Sequence, residues 1–143
     1  MSTMKGKVMF IDTVHPILQE MLEEAGYTCS DFTNKSQEQI LPYISDYQGV
    51  VIRSRFKMTK EFLKHCHSLK FIARSGSGLE NIDLKFANQQ NIQCFNSPEG
   101  NKDALAEHCV ALLLNLFNNI NKSHKEVSKG QWLREENRGV ELK

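Results

Sequence analysis

Two arginines stand at the ends of predicted buried strands, each beside small residues. Arg53 is followed by Ser54, and Arg74 is followed by the run Ser-Gly-Ser-Gly at residues 75–78. A guanidinium group binds a carboxylate or a phosphate through two parallel hydrogen bonds, and a glycine-rich turn lets successive backbone N–H groups face one anion. These residue types at this spacing predict a site for a small anion. The alternative interpretation is that each arginine is a solvated surface charge near a loop.

The elements that must position these residues are five short apolar runs alternating with segments of helical periodicity. The predicted strands are residues 7–12, 27–29, 49–53, 70–75 and 92–96. The predicted helices are residues 15–25, a helix opened by a capping box at Ser36 and Gln39, residues 59–66 and residues 83–90.

Strands that alternate with helices predict a parallel sheet, because parallel strands need crossover connections. The predicted fold class is α/β, a flavodoxin-like doubly wound parallel sheet of five strands ordered 2-1-3-4-5. In such sheets, ligands bind beyond the carboxyl ends of the strands, where both arginines stand.

A long apolar helix is predicted to begin at Ala104 and to end at Ile120. Its apolar residues form more than one stripe, and a helix of this kind must be buried on several sides. One small sheet cannot bury it, so a second domain or a second copy of the chain is expected against it. Polar residues interrupt the apolar run, which excludes a membrane span. The expected division is a sheet domain of residues 1–100, then the helix and a polar tail without further core in residues 101–143.

Composition and local motifs exclude several other classes of protein. Eighteen basic and seventeen acidic side chains give a net charge of +1, so neither nucleic acid nor a membrane surface is an expected partner. The four cysteines have no C-x-x-C spacing and the N-terminus has no secretory signal, which predicts reduced thiols in a cytoplasmic protein. Cys94 and Cys109 are interpreted as core thiols. The turn after the first strand lacks glycine, which excludes a dinucleotide fingerprint or a P-loop there.

No metal site is expected. The run His65, Cys66 and His67 ends a polar helix, and residues one or two apart do not share a helical face. A phosphate-accepting receiver domain is also disfavoured, because Arg53 stands where such a domain places an aspartate.

Longer stretches of the sequence resemble a known family, the D-isomer-specific 2-hydroxyacid dehydrogenases. Residues 68–83 (SLKFIARSGSGLENID) are similar to the family signature LK-I-R-G-G-x-N-ID. Residues 96–101 (NSPEGN) and 104–108 (ALAEH) resemble the segment that crosses from the substrate domain into the cofactor domain, and residues 130–132 and 137–142 match the approach to the nucleotide fold. The resemblance covers essentially the whole chain.

The resemblance implies an NAD-dependent oxidoreductase that acts on a small anionic 2-hydroxy acid. Residues 51–55 (VIRSR), with Thr59 and Arg74, are most similar to the branch that oxidises 3-phosphoglycerate to 3-phosphohydroxypyruvate at the head of serine biosynthesis. The family also implies a homo-oligomer such as a dimer, formed here through the helix from Ala104 to Ile120.

Roles carried over from the family fall on residues in the matching motifs. Arg53, Ser54 and Arg74 match residues that hold the anionic ends of the substrate. Ser75 and Gly76 match the turn whose backbone N–H groups meet the substrate carboxylate. The implied cofactor contacts are Ser77, beside the nicotinamide, and two residues lining the cofactor cleft, Asn101 and Leu105. Glu107 and His108 match a family pattern but are interpreted as packing or interface residues.

The family pattern continues with a G-x-G-x-x-G loop after the residues that match Glu141 and Leu142, whereas this sequence ends at Lys143. No residue here matches the family's catalytic arginine, glutamate and histidine. The resemblance therefore implies an N-terminal portion, either cut at a domain boundary or a fragmentary gene product, that is inactive alone. Two alternatives stay open: a stand-alone α/β binding or regulatory module, and a dehydrogenase or reductase for another acid such as glyoxylate or hydroxypyruvate.

Overall fold

A computed structural model describes residues 5–142 of the chain, and they fall into two compact units. The first unit ends at Gly100 and the second begins at Asn101. The first contains the sheet, and the second contains helices without strands in its described residues.

Five strands alternate with four helices in the first unit. In chain order they are β1 (Gly6–Phe10), α1 (Ile17–Glu24), β2 (Tyr27–Asp31), α2 (Gln37–Ile44), β3 (Gly49–Ile52), α3 (Lys60–Leu63), β4 (Phe71–Arg74), α4 (Leu84–Gln89) and β5 (Gln93–Phe95). All pairings are parallel and the order is β2-β1-β3-β4-β5, which confirms the predicted sheet. β3 ends one residue earlier than predicted, because the N–H of Arg53 donates to a side chain, Asp12 Oδ2, at 2.6 Å.

Side chains alternate between the two faces of the sheet and form a separate core on each. Met9 and Ile72 belong to the core beneath α2, α3 and α4. Val8, Phe10 and Val51 belong to the opposite core, against which α1 packs. Fully burying one such aliphatic side chain contributes about 1.5–3 kcal/mol, so the continuous apolar runs of β1 and β3 supply much of the stability. Helices on both faces explain why these runs do not alternate with polar residues.

Short polar caps set where the helices of the first unit begin. Ser36 Oγ accepts a hydrogen bond from the N–H of Gln39, and Gln39 Oε1 accepts one from the N–H of Ser36 at 2.9 Å. This confirms the predicted capping box. At the starts of α3 and α4, the side chains of Thr59 and Asp83 each accept a single backbone hydrogen bond, and each such cap contributes about 1 kcal/mol.

Gly49, the first residue of β3, lies under an aromatic ring. A Cβ atom at this position would be 2.6 Å from both Cε atoms of Phe71. The Phe71 ring lies edge-on to Tyr27, with centroids 6.0 Å apart, and to Phe95, with centroids 6.4 Å apart. The close approach of backbone and ring therefore needs a residue without a side chain at position 49.

The second unit contains two helices rather than the single helix predicted to end at Ile120. The first, α5, is Lys102–Phe117, and the second, α6, is Ile120–Val127, followed by a 3₁₀ turn at Glu135–Asn137. Asn119 adopts a left-handed backbone conformation with φ of 50° and separates them. Asparagine tolerates this conformation better than most residues, which explains the break and corrects the predicted single helix. The helix α6 lies in residues predicted as a polar tail without further core, and it has no buried residue.

Large apolar side chains of the second unit face solvent. Leu112 and Leu116 of α5 are 55% and 72% exposed, and Trp132 is 80% exposed. Cys109 is also exposed, so its interpretation as a core thiol is wrong for the described chain, whereas Cys94 is half-buried. α5 has no buried residue, because the unit places no sheet against it. No described helix is long and apolar enough to cross a membrane.

Candidate anion-binding site

The sheet brings the two predicted site segments to one edge. β3 and β4 are neighbours, and their register pairs Ile52 with Arg74. The loop that begins at Arg53 and the turn that begins at Ser75 therefore leave the sheet side by side. The N–H of Ser75 donates to the carbonyl of Ile52 at 2.8 Å, which continues the ladder into the turn.

Arg74 uses its guanidinium group within the protein. Nε donates to the carbonyl oxygen of Arg53 at 3.0 Å, and Nη1 donates to the carbonyl oxygen of Gly78. Nη1 and Nη2 also lie 3.2 and 2.9 Å from the two carboxylate oxygens of Glu80. The Arg74 side chain is only 13% exposed. Arg74 thus ties the β3 loop to the glycine turn, and Glu80 balances its charge.

Arg55 is also engaged within the protein, at the ends of β1 and β2. Its Nη1 donates to the carbonyl oxygen of Lys35 at 3.1 Å, and its Nη2 donates to those of Ile11 and Phe32. Its Nε lies 3.5 Å from Asp12 Oδ1. These contacts leave the guanidinium of Arg55 with a structural role.

Arg53 differs from both neighbouring arginines. Its side chain is exposed, and its guanidinium forms no hydrogen bond or ion pair with any of residues 5–142. Its backbone, in contrast, is held by hydrogen bonds at both the N–H and the carbonyl oxygen. Ser54 follows it and is exposed as well. Of these three arginines, Arg53 is therefore the one with an available guanidinium group.

The glycine turn offers backbone N–H groups beside this arginine. The N–H groups of Ser75 and Gly76, expected to meet an anion, donate to protein carbonyls at 2.8 and 2.9 Å. Those of Ser77 and Gly78 find no acceptor among the described residues. The side chain of Asn96 donates to the carbonyl oxygen of Ser77 at 2.6 Å and steadies the turn from the end of β5. Two adjacent free N–H groups can bind one anionic oxygen.

The predicted cofactor contacts are distributed between the two units. Ser77 is exposed in the glycine turn of the first unit. Asn101 immediately precedes α5 and makes no side-chain capping bond, and Leu105 of α5 is 57% exposed. These three assignments remain predictions.

Sequence reasoning missed two residues that organise this edge, Asp12 and Asn81. Asp12 accepts hydrogen bonds from the N–H groups of Arg53 and Arg55 at 2.6 and 3.4 Å. Asn81 donates from Nδ2 to the carbonyl oxygen of Arg53 at 3.0 Å. A carboxylate at the end of an apolar central strand, level with the arginine at the end of the neighbouring strand, is a signal that could have identified Asp12.

Reactive groups elsewhere in the described chain have structural explanations. Burial raises the pKa of the Cys66 thiol to about 12, so it packs as an apolar group at neutral pH. Burial also raises the pKa values of Cys29 and Cys94. The Nδ1 atom of His15 accepts a hydrogen bond from the N–H of Ile17, the first residue of α1, at 3.2 Å. Within residues 5–142, no three His, Cys, Asp or Glu side chains are grouped so as to hold a metal ion.

Comparison with known proteins identifies relatives of this chain. Residues 8–137 match the family model described as D-isomer specific 2-hydroxyacid dehydrogenase, catalytic domain. The D-3-phosphoglycerate dehydrogenase of Archaeoglobus fulgidus is 31% identical over 137 residues, which cover 96% of this chain and 26% of that protein. The protein of the same name from Sus scrofa is 29% identical over 136 residues, covering 95% of this chain and 26% of the relative. The chain therefore spans about a quarter of the length of these relatives.

Solved structures show the same fold. An NAD⁺-bound 3-phosphoglycerate dehydrogenase of Entamoeba histolytica is 30% identical, with a TM-score of 0.64 over 79% of this chain and 39% of that one. A protein from Pyrococcus horikoshii is 26% identical, with a TM-score of 0.81 over 90% of this chain and 38% of that one. With its five-stranded parallel sheet and a family match over residues 8–137, the chain belongs to the D-isomer specific 2-hydroxyacid dehydrogenase family.

Proposed function

We propose that this chain is the N-terminal substrate-binding portion of an NAD-dependent D-2-hydroxyacid dehydrogenase that oxidises 3-phosphoglycerate in serine biosynthesis. The observation that carries the proposal is the exposed Arg53 guanidinium, which has no partner among residues 5–142. Arg53 follows β3, the strand that neighbours β4 and the glycine turn with its free N–H groups of Ser77 and Gly78. The curated relatives named D-3-phosphoglycerate dehydrogenase, about 30% identical, support the choice of substrate.

The proposed substrate carries a carboxylate and a phosphate, and different residues of the site bind each of these two groups. Arg53 binds one anionic end through its planar guanidinium, with Ser54 beside it. The turn of residues 75–78 binds the other through the free N–H groups of Ser77 and Gly78. Arg74 donates hydrogen bonds to the carbonyl oxygens of Arg53 and Gly78, and so holds the loop after β3 and the glycine turn in place. A charge-assisted contact of this kind is worth about 1.5–3 kcal/mol.

The turn between β1 and α1 lacks the features of a pyrophosphate-binding loop for NAD. The turn that leads into α1 contains no glycine, and α1 begins after Pro16 rather than after a phosphate-binding loop. In the proposal, Ser77, Asn101 and Leu105 contact the cofactor, and a separate nucleotide-binding domain of the whole enzyme supplies most of the NAD binding. NAD accepts a hydride from the substrate carbon when it is bound.

The proposed location is the cytoplasm. None of the four cysteines forms a disulfide, and reduced thiols of this kind are typical of a reducing compartment.

We expect the 143-residue chain to bind 3-phosphoglycerate without oxidising it, because no residue here matches the family's catalytic trio. Nuclear magnetic resonance titrations follow the backbone N–H signals of Ser77 and Gly78 and the Nε–Hε signal of Arg53. D-glycerate, which lacks the phosphate, is the matched ligand control and should bind roughly tenfold more weakly. NADH absorbance with NAD present should not rise.

Each contrary result of this titration identifies a different error. Equally tight binding of D-glycerate, glyoxylate or hydroxypyruvate shows that the substrate is another small acid. A folded chain that binds none of these acids is instead a binding or regulatory module without this chemistry. NADH formation from pure chain contradicts the proposed inactivity.

We also propose that the chain self-associates through the apolar surface of α5. Leaving a few hundred Å² of apolar surface in water costs several kcal/mol, at about 25 cal/mol per Å². Sedimentation velocity should show a dimer or larger species, and Leu112→Glu with Leu116→Glu should shift it toward monomer. Met21→Glu is the matched control, since Met21 of α1 is 60% exposed. A monomeric wild-type chain at high concentration would contradict the proposal.

A further inference from the structure

The backbone of Arg53 is held on both sides while its side chain is left free. Asp12 Oδ2 accepts from the N–H of Arg53 at 2.6 Å. The carbonyl oxygen of Arg53 accepts from Arg74 Nε and from Asn81 Nδ2, both at 3.0 Å. We propose that Asn81 and Asp12 are positioning residues that aim the Arg53 guanidinium at the anionic end of the substrate. This inference rests on the proposed function and deepens it.

Asn81 bridges the two ends of the loop that contains Arg53. Its Nδ2 also donates to the carbonyl oxygen of Phe56, at 3.2 Å. The two carbonyl oxygens determine the orientation of the Asn81 amide. If the amide were flipped, its Oδ1 would face both carbonyl oxygens, and none of these three atoms can donate a hydrogen bond. Oδ1 is buried and has no hydrogen-bond partner among the described residues. The polar contacts of the Asn81 side chain are therefore those with this loop.

Asp12 holds the same loop from the opposite side. Its Oδ2 contacts the N–H groups of Arg53 and Arg55, and its side chain is only 11% exposed. The N–H of Ile11 donates to the carbonyl oxygen of Val51 at 2.9 Å, so Asp12 extends the β1–β3 ladder by a side-chain contact.

Fixing the peptide groups on both sides of a Cα atom also fixes the direction of its Cα–Cβ bond. The Arg53 side chain thus leaves the backbone in one direction before a ligand arrives. Preorganisation of this kind lowers the conformational entropy lost on binding. Loss of either positioning residue should weaken anion binding only as long as Arg53 is present to be positioned.

Asn81→Ala should leave the fold intact. The backbone carbonyl oxygen of Asn81 accepts from the N–H of Met58 at 2.7 Å, and Met58 and Ile82 form a parallel bridge. Both Met58 and Ile82 are buried in the core beneath α2, α3 and α4. The substitution removes the side-chain bridge and keeps this backbone connection.

The test is a double-mutant cycle in the 143-residue chain, with 3-phosphoglycerate affinity measured by magnetic resonance titration. Asn81→Ala should raise the Kd roughly tenfold, and the Arg53→Ala/Asn81→Ala chain should bind no more weakly than Arg53→Ala alone. Asn88→Ala is the matched control, since Asn88 lies exposed on α4. Additive losses in the double variant would overturn the inference, because a merely structural role acts whether or not Arg53 is present.

The same cycle separates this inference from the proposed function. If Arg53→Ala leaves 3-phosphoglycerate binding unchanged, the proposed function and the inference fall together. If Arg53→Ala weakens binding and Asn81→Ala does not, the inference alone is wrong.

A second pair of variants decides the matter if Asn81→Ala does not fold. Asp12→Ala removes the acceptor for the Arg53 N–H and should reproduce the Arg53-dependent loss. Asp12→Asn keeps an oxygen in place and should restore most of the affinity. Equal losses from both Asp12 variants would contradict a positioning role.

Discussion

Replacing Arg53 by alanine should weaken binding of 3-phosphoglycerate by about ten- to a hundredfold, the largest functional effect expected for one residue of this chain. The side chain makes no polar contact with residues 5–142, so its removal leaves no partner unsatisfied and costs little stability. The loss corresponds to about 1.5–3 kcal/mol, the typical value of a hydrogen bond to a charged group.

Arg53→Lys should be nearly as damaging as Arg53→Ala, because an ammonium group cannot reproduce two parallel hydrogen bonds to a carboxylate or phosphate. Titration of each variant with 3-phosphoglycerate measures the effect, and Arg134→Ala is the control at an exposed arginine of the second unit. In the full-length enzyme, affinity for NADH should hardly change. Unaltered binding by both Arg53 variants, or a loss that falls on NADH, would refute the anion site.

Gly49→Ala should destabilise the first unit by about 1–3 kcal/mol, the usual cost of inserting a methyl group into a packed core. The added Cβ would lie 2.6 Å from two atoms of the Phe71 ring, which Tyr27 and Phe95 flank. The smaller unfolded-state benefit of replacing glycine, about 0.5–1 kcal/mol, does not offset this overlap. Urea unfolding followed by far-ultraviolet circular dichroism measures the free energy change.

Two control experiments test whether overlap with the Phe71 ring causes this loss of stability. Gly100→Ala should change stability by no more than about 0.5 kcal/mol, because its Cβ would meet nothing closer than 3.4 Å. In a Phe71→Ala background the added cost of Gly49→Ala should largely disappear. A Gly49→Ala chain as stable as the parent would show that the ring moves aside freely.

Local patterns were sufficient to predict the sheet. The apolar runs of β1 and β3 are buried on both faces of the sheet. The capping box of Ser36 and Gln39 marks the start of α2 through residues only three positions apart. These signals depend on neighbours a few residues away, and parallel pairing then follows from the alternation of strands and helices.

The choice among the three arginines depends on distant residues and could not be predicted. Arg55 reaches carbonyl groups 20 to 44 residues away in the sequence, and Arg74 reaches the carbonyl of a residue 21 positions away. Only the folded sheet brings these acceptors together. For the same reason, the resemblance matched the arginines to a family motif without showing that, of the three, Arg53 keeps its guanidinium free of partners among the described residues.

The break at Asn119 is a second feature that the sequence pattern could not predict. The residues from Ala104 to Ile120 have an unbroken helical pattern, and the left-handed conformation of one asparagine ends it. Asn118 Nδ2 donates to the carbonyl oxygen of Leu114 at 3.1 Å, and Asn119 Nδ2 donates to that of Arg138 at 3.2 Å. Apolar periodicity does not detect such hydrogen bonds from side chains to the backbone.

The placement of the aromatic residues gives each unit its own optical reporter. The chain has one tryptophan, Trp132, which lies 80% exposed in the second unit, and three tyrosines, Tyr27, Tyr43 and Tyr47, all in the first. Tryptophan emission of the chain therefore reports on the surroundings of residue 132 in the second unit. Tyrosine emission follows the sheet instead, so denaturation curves recorded at the two signals reveal whether the units melt as one cooperative body or separately.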